Sequence, residues 1–168
     1  MNPRTFQPRQ RVPTGTGAAP FRALPLEVIS DGEGSVAIGW VGPGVLFSRS
    51  SGGISAEVGS AHAARIQSFA DESPSVSFFI DASRVKSYDL LARSAFVRVL
   101  MANRRKFCDL VLLTFAASPT PAEESMVRVV GEPFDLLRQP AMFEDRLFAV
   151  APRARQLLEL RSGADAQR

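Results

Sequence analysis

At 168 residues, 45% of them apolar and 22% charged, the chain has the size and composition of one soluble domain with a real core and is too short for two substantial ones. Its net charge of +3 is uneven: Arg4, Arg9, Arg11 and Arg22 precede any acid, so the remainder sums to one negative charge, which argues against a nucleic-acid footprint on the folded surface. Cys108 is the only cysteine, which excludes an intramolecular disulfide. No apolar run is long enough to span a bilayer, and the basic N-terminus has no apolar stretch behind it, so a cytoplasmic protein is expected.

Residues 1–23 mix prolines, glycines and scattered arginines without periodicity, and such a segment cannot bury enough apolar surface to offset its ordering entropy. A disordered basic tail is therefore expected over residues 1–23, one α/β domain over 24–161, and a frayed end over 162–168. Gly15-Thr16-Gly17 lacks the lysine and the preceding strand of a phosphate loop. Leu26–Ile29 reads as a short strand and Asp31-Gly32-Glu33-Gly34 as a turn. From Ser35 to Val41 the residues alternate, with Val36, Ile38 and Trp40 on one face. Gly42-Pro43-Gly44 turns the chain into a strand at Val45-Leu46-Phe47, which Ser50-Ser51-Gly52-Gly53 is expected to end.

Ile54 to Ala70 has the spacing of an amphipathic helix, capped by Ser55, with Ile54, Val58, Ala61, Ile66 and Phe69 on its apolar arc. His62, the single histidine, lies beside that arc and reads as a partly exposed helix residue, since no nucleophile or carboxylate partner is indicated. Val76–Ile80 is apolar on both faces, as a central parallel strand would be. Asp81 then falls at its C-terminal end, where α/β sheets place functional loops.

After a linker, Ala82–Ser87, a helix is expected from Tyr88 to Lys106, with Ser87 as N-cap and Asp89 in the first turn. Arg93 projects from its apolar arc and should find a carboxylate, Asp81 or Asp89. Arg104-Arg105-Lys106 would close the helix with favourable positive charge rather than bind phosphate. Leu110–Phe115 is a second buried strand, so residues 76–115 form a βαβ unit. Thr120-Pro121-Ala122-Glu123 is a capping box, and Gly131 with Pro133 stops its helix. Phe134–Leu137 reads as an edge strand or a turn of helix, and helical patterns follow from Gln139 and from Arg153 to Leu160.

This order, a hairpin, a helix, then βαβ with a further helix, resembles the STAS domain of anti-sigma-factor antagonists. The specific part is Phe79-Ile80-Asp81-Ala82-Ser83-Arg84-Val85-Lys86-Ser87-Tyr88-Asp89. It is similar to the family's apolar strand ending in Asp, with a second Asp eight residues later opening a helix. The resemblance, to divergent STAS-like proteins of bacteria, implies a mixed sheet with an N-terminal antiparallel hairpin and helices packed on it. It also implies a partner-binding surface, here Asp81, Ser83, Lys86, Ser87, Tyr88, Asp89 and Arg93. Leu90 stands where the family carries its phospho-acceptor serine or threonine, and Ala92 where a glycine is expected. The usual phosphorylation switch is thus missing, while partner binding through the same surface survives.

No nucleophile elbow, catalytic triad, metal-ligand cluster or phosphate cradle is recognisable. Glu123 and Glu124 belong to the helix start, Glu144-Asp145-Arg146 to an exposed or ion-paired face, and Cys108 reads as a small packed residue. The functional expectation is a non-enzymatic regulatory module that needs no cofactor or metal. It would bind a partner protein, a kinase or another signalling regulator, without nucleic acid or membrane insertion. The first alternative is a ligand-binding or enzymatic domain with a pocket near Asp81 and 116–118, marked by Asp81, Arg93 and Tyr88. The second is an anionic-surface binder using the tail arginines. The hairpin edge at Val45–Phe47 offers a pairing edge to a second copy.

Overall fold

A computed structural model describes residues 25–114, 120–156 and 158. Two short antiparallel connections build the first half of the sheet. Strand β1 (Glu27–Ser30) turns into β2 (Gly34–Gly42) through Asp31, whose Oδ1 accepts from the backbone N–H of Glu33 at 3.0 Å and of Gly34 at 3.2 Å. Pro43-Gly44 then leads into β3 (Val45–Ile54), with Gly44 at φ 66°, a conformation that costs glycine little.

From β3 onward every connection carries a helix. Helix α1 (Ala56–Glu72) leads to β4 (Val76–Tyr88), α2 (Leu90–Ala102) to β5 (Phe107–Leu113), and α3 (Pro121–Val130) to β6 (Phe134–Leu137). Helix α4 (Pro140–Val150) follows. The strands lie side by side in chain order; β1, β2 and β3 are antiparallel neighbours, and β3 to β6 are parallel. The architecture is the expected mixed α/β sheet with an antiparallel start.

Crossovers of one hand along one direction place their helices on one face of a sheet. Phe78 and Ile80 of β4 and Leu110 and Leu112 of β5 accordingly pack with Ile66 and Phe69 of α1, Phe96, Val99 and Leu100 of α2 and Val130 of α3. The alternate residues Phe79, Val111 and Leu113 point the other way, where α4 covers them with Phe143 and Leu147. Both faces of the central strands are thus buried, which explains why apolar residues occupy successive positions in them.

Several boundaries differ from the sequence expectations. Strand β3 runs through Ser50–Gly53 to Ile54, because β4 continues alongside and pairs with it from Val45↔Ser77 to Ile54↔Tyr88. Glycine at 52 makes the extension compatible with β2: Gly52 has φ 76°, and a Cβ there would lie 2.5 Å from the Glu33 carbonyl oxygen. Being flanked by β2 and β4, the Val45–Phe47 segment has no free edge, so it cannot pair with a second copy; the described sheet ends at β1 and β6. The expected linker Ala82–Ser87 is the second half of β4, and Asp81 lies inside the strand rather than at its end.

Helix α2 starts after Asp89, not Ser87: Asp89 Oδ1 accepts from Leu91 N at 2.7 Å and Ala92 N at 3.3 Å. It stops at Ala102, so Arg104-Arg105-Lys106 lies in the following turn. Lys106 serves a different helix, donating to the Ala70 carbonyl at 2.8 Å and to Asp71 at 3.0 Å at the C-terminus of α1, where positive charge is favoured. Cys108 is within β5 and exposed rather than packed. Phe134–Leu137 is the edge strand. The expected tail over 1–23, Phe115, the 116–118 part of the alternative pocket and the end over 162–168 lie outside the described residues.

Candidate functional site

Strand β4 outruns β5. Their pairing spans Val76↔Phe107 to Asp81↔Leu113, and beyond Asp81 the strand pairs with β3 alone. On the face covered by α1, α2 and α3 this leaves space beside the second half of β4. A cavity of about 530 Å³ occupies it, walled by Ile80 and Ala82 of β4, Leu112 of β5 and Thr114 just after it, Phe96 and Val97 of α2, and Met126 and Val129 of α3. Its volume is in the range of small-molecule sites, which are mostly apolar with a few convergent polar groups.

The polar groups come from five elements. His62 of α1 is 1% exposed, lines the cavity, and has no hydrogen-bond partner on either ring nitrogen among the described residues. Burial pulls its pKa down to about 4, so the ring is neutral at pH 7. It stacks on Phe96, with centroids 5.7 Å apart and 21° between planes. The expectation of a partly exposed histidine is therefore corrected. His62 is four residues from both Val58 and Ile66, all buried, and that i, i+4 stripe was the signal available in the sequence.

Tyr88 stands at the end of β4. Burial raises its pKa to about 12, partly countered by the positive charge of Arg93, so its phenol stays protonated. Arg93 is exposed at the cavity rim. It pairs with neither Asp81 nor Asp89 and has no ion pair among the described residues, contrary to expectation, because both carboxylates are engaged elsewhere. Glu123 of α3 is held by the capping box read from the sequence: Thr120 Oγ1 accepts from Glu123 N at 3.2 Å, and Thr120 N donates to Glu123 Oε2 at 2.7 Å. Thr114 Oγ1 donates to the other oxygen at 2.7 Å. Burial raises the Glu123 pKa, but the hydrogen bonds from Thr120 and Thr114, with the charge of Arg138, outweigh it and hold the carboxyl below its ordinary range.

Asp81 faces the opposite side of the sheet. It is 4% exposed, and Arg49 Nε of the neighbouring strand donates to its Oδ2 at 2.8 Å. The Ser83 backbone N–H donates to Oδ1 at 3.0 Å, and the Ser83 hydroxyl bonds the same oxygen. Arg49 was not read from the sequence as a partner, since only the parallel register of β3 against β4 puts Arg49↔Asp81 side by side. The pocket therefore includes Tyr88 and Arg93, as the ligand-binding alternative expected, but not Asp81.

Of the other surface residues expected, Lys86, Ser87 and Asp89 are exposed and Ser83 is partly buried. The structure adds two that the expectation did not include: Leu90 and Leu91, 71% and 67% exposed, at the first turn of α2. Ala92, where the STAS pattern carries glycine, is buried against Gly59 of α1; a Cβ on Gly59 would lie 2.2 Å from the Ala92 Cβ. Among the described residues no three of His, Cys, Asp and Glu are grouped as a metal would need, and no helix is long and apolar enough to cross a membrane.

No protein-family model and no curated protein matches the chain. Among solved structures it is similar to an uncharacterized protein of the DUF3478 family with a SpoIIAA-like fold from Shewanella loihica PV-4, at 12% identity over 78% of this chain and 99% of that one, with a TM-score of 0.47. It is also similar to an anti-sigma factor antagonist from Mycobacterium paratuberculosis, at 21% identity over 79% of this chain and 97% of that one, with a TM-score of 0.41.

Proposed function

We propose that the protein is a non-enzymatic regulatory module of STAS-like type that binds a partner protein through the end of β4 and the start of α2. The observation that carries this reading is the adjacent pair Leu90–Leu91, 71% and 67% exposed and set among Lys86, Ser87, Asp89 and Arg93. Two neighbouring leucines in water at a helix start, ringed by polar and charged groups, have the anatomy of an interface centre with its rim. Asp81, bonded to Arg49 and Ser83, ties β4, the strand that leads to this surface, to β3. Tyr88 anchors its inner side. Leu90 carries no hydroxyl, so this surface is constitutively available and is not switched by phosphorylation at that position.

Asp89 is a poor residue to mutate, because it caps α2. The test is a photo-crosslinking amino acid at Leu91 in the protein's own cells, with a second copy of the experiment at the exposed Met142 on α4 as control. A partner protein captured from position 91 and not from 142, and lost when Leu90→Glu is added to the position-91 crosslinker, is the expected result. Equal capture by both positions, or unchanged capture from position 91 with Leu90→Glu added, overturns the assignment.

A further inference from the structure

The exposed leucines leave the cavity behind them unexplained. Its walls are largely apolar, and its lining includes a buried imidazole with no hydrogen-bond partner on either nitrogen among the described residues. Leaving such a group unpaired costs free energy, whereas a core site without a ligand role would more simply hold leucine or phenylalanine. At its solvent-exposed rim lies Arg93, a guanidinium without an ion pair among the described residues. The carboxylate in the same lining, Glu123, is already bonded through both oxygens and sits at the N-terminus of α3, where the helix dipole offsets its charge.

We propose that this cavity binds a small amphipathic carboxylic acid. Its apolar body lies between α2, α3 and the sheet, its carboxylate meets Arg93 at the rim, and an uncharged hydroxyl or carbonyl group reaches His62. Neutral imidazole offers one donor and one acceptor, so it suits a hydroxyl or carbonyl better than a second charge. Arg93 supplies the planar fork that matches a carboxylate. The site is independent of partner binding at Leu90–Leu91, although Arg93 borders both.

The experiment uses the full chain, in which His62 is the single histidine, so its ring nitrogen signals are assignable without ambiguity. The probes are ω-hydroxydecanoate, decanoate and decanediol, titrated while the His62 ring and the backbone amides are followed by NMR. Saturable binding of ω-hydroxydecanoate that moves the His62 ring signals is expected. Decanoate, lacking the hydroxyl, should bind about fivefold more weakly. Decanediol, lacking the carboxylate, should bind about tenfold more weakly or worse. His62→Leu should bring ω-hydroxydecanoate down to the level of decanoate.

Ala82→Phe fills the cavity and should abolish binding of all three; Val97→Trp, on the partly exposed wall, gives a second block if the first variant does not fold. The uncharged Leu90→Ser/Leu91→Ser variant should bind the probes unchanged, which separates this site from the partner surface. Absence of saturable binding at millimolar probe by the folded wild-type protein, with His62 exchanging only with water, overturns the proposal. So does binding that survives both blocking substitutions.

Discussion

The His62 ring lies nearly parallel to that of Phe96, 5.7 Å from it, and the two join α1 to α2 above the sheet without a hydrogen bond to either imidazole nitrogen among the described residues. The pairing makes His62 part of the core in its neutral form only. Its folded pKa of about 4 lies below the ordinary 6.5, so between those values the unfolded chain binds the proton and the folded chain does not. Stability from this residue is therefore complete above pH 6.5 and falls as the pH drops toward 4. The expected loss is about 3 kcal/mol over that window. Urea unfolding at a series of pH values checks it: His62→Leu should show a flatter profile between pH 4 and 6.5 than the wild type, and parallel profiles would contradict the assignment.

Gly59 and Ala92 bring α1 and α2 into backbone contact. A Cβ at position 59 would stand 2.2 Å from the Ala92 Cβ and 2.6 Å from its Cα. Replacing an interior helix glycine with alanine ordinarily gains about 1 kcal/mol of helix propensity. Here overpacking against a backbone atom outweighs that gain, and Gly59→Ala should cost roughly 1–2 kcal/mol net. Denaturant midpoints decide the sign, and a stabilised variant would show that the helices separate freely.

The Arg49–Asp81 pair is buried on the carboxylate side, with side-chain exposures of 24% and 6%. Removing the arginine strands a carboxylate that keeps only Ser83 as a donor, so Arg49→Ala should destabilise by about 2 kcal/mol, less than a fully enclosed pair because water reaches the guanidinium. The Arg49→Ala/Asp81→Ala double variant should lose less than the sum of the two single ones. Additive losses in the cycle would mean that the pair is not coupled.

Leu90→Ser/Leu91→Ser should leave stability within about 0.5 kcal/mol of the wild type, since both side chains face water. Leu90→Ser added to the position-91 crosslinker should lower capture of the partner. A large drop in melting temperature would instead place the two leucines in the protein's own packing.

Short-range physical chemistry was legible in the chain. The capping box at Thr120–Glu123, the Ser55 cap, the glycine stop at Gly131 and the alternation of Val36, Ile38 and Trp40 depend on residues a few positions apart, and each is found where it was read. The mostly apolar runs at 76–80 and 110–115 likewise announced strands covered on both faces, and hence the mixed α/β class. What the chain could not announce is set by partners distant in sequence. Ser50–Gly53 and Ala82–Ser87 have the composition of loops and become strand because each is the other's hydrogen-bonding neighbour. Asp81 meets Arg49, 32 residues away, through parallel register, and that pairing frees Arg93 for the cavity rim. His62 is buried because α2 packs on α1 and sets Phe96 against its ring. Propensity and capping act along the chain, whereas register, burial and the cavity exist only once separate segments exclude water together.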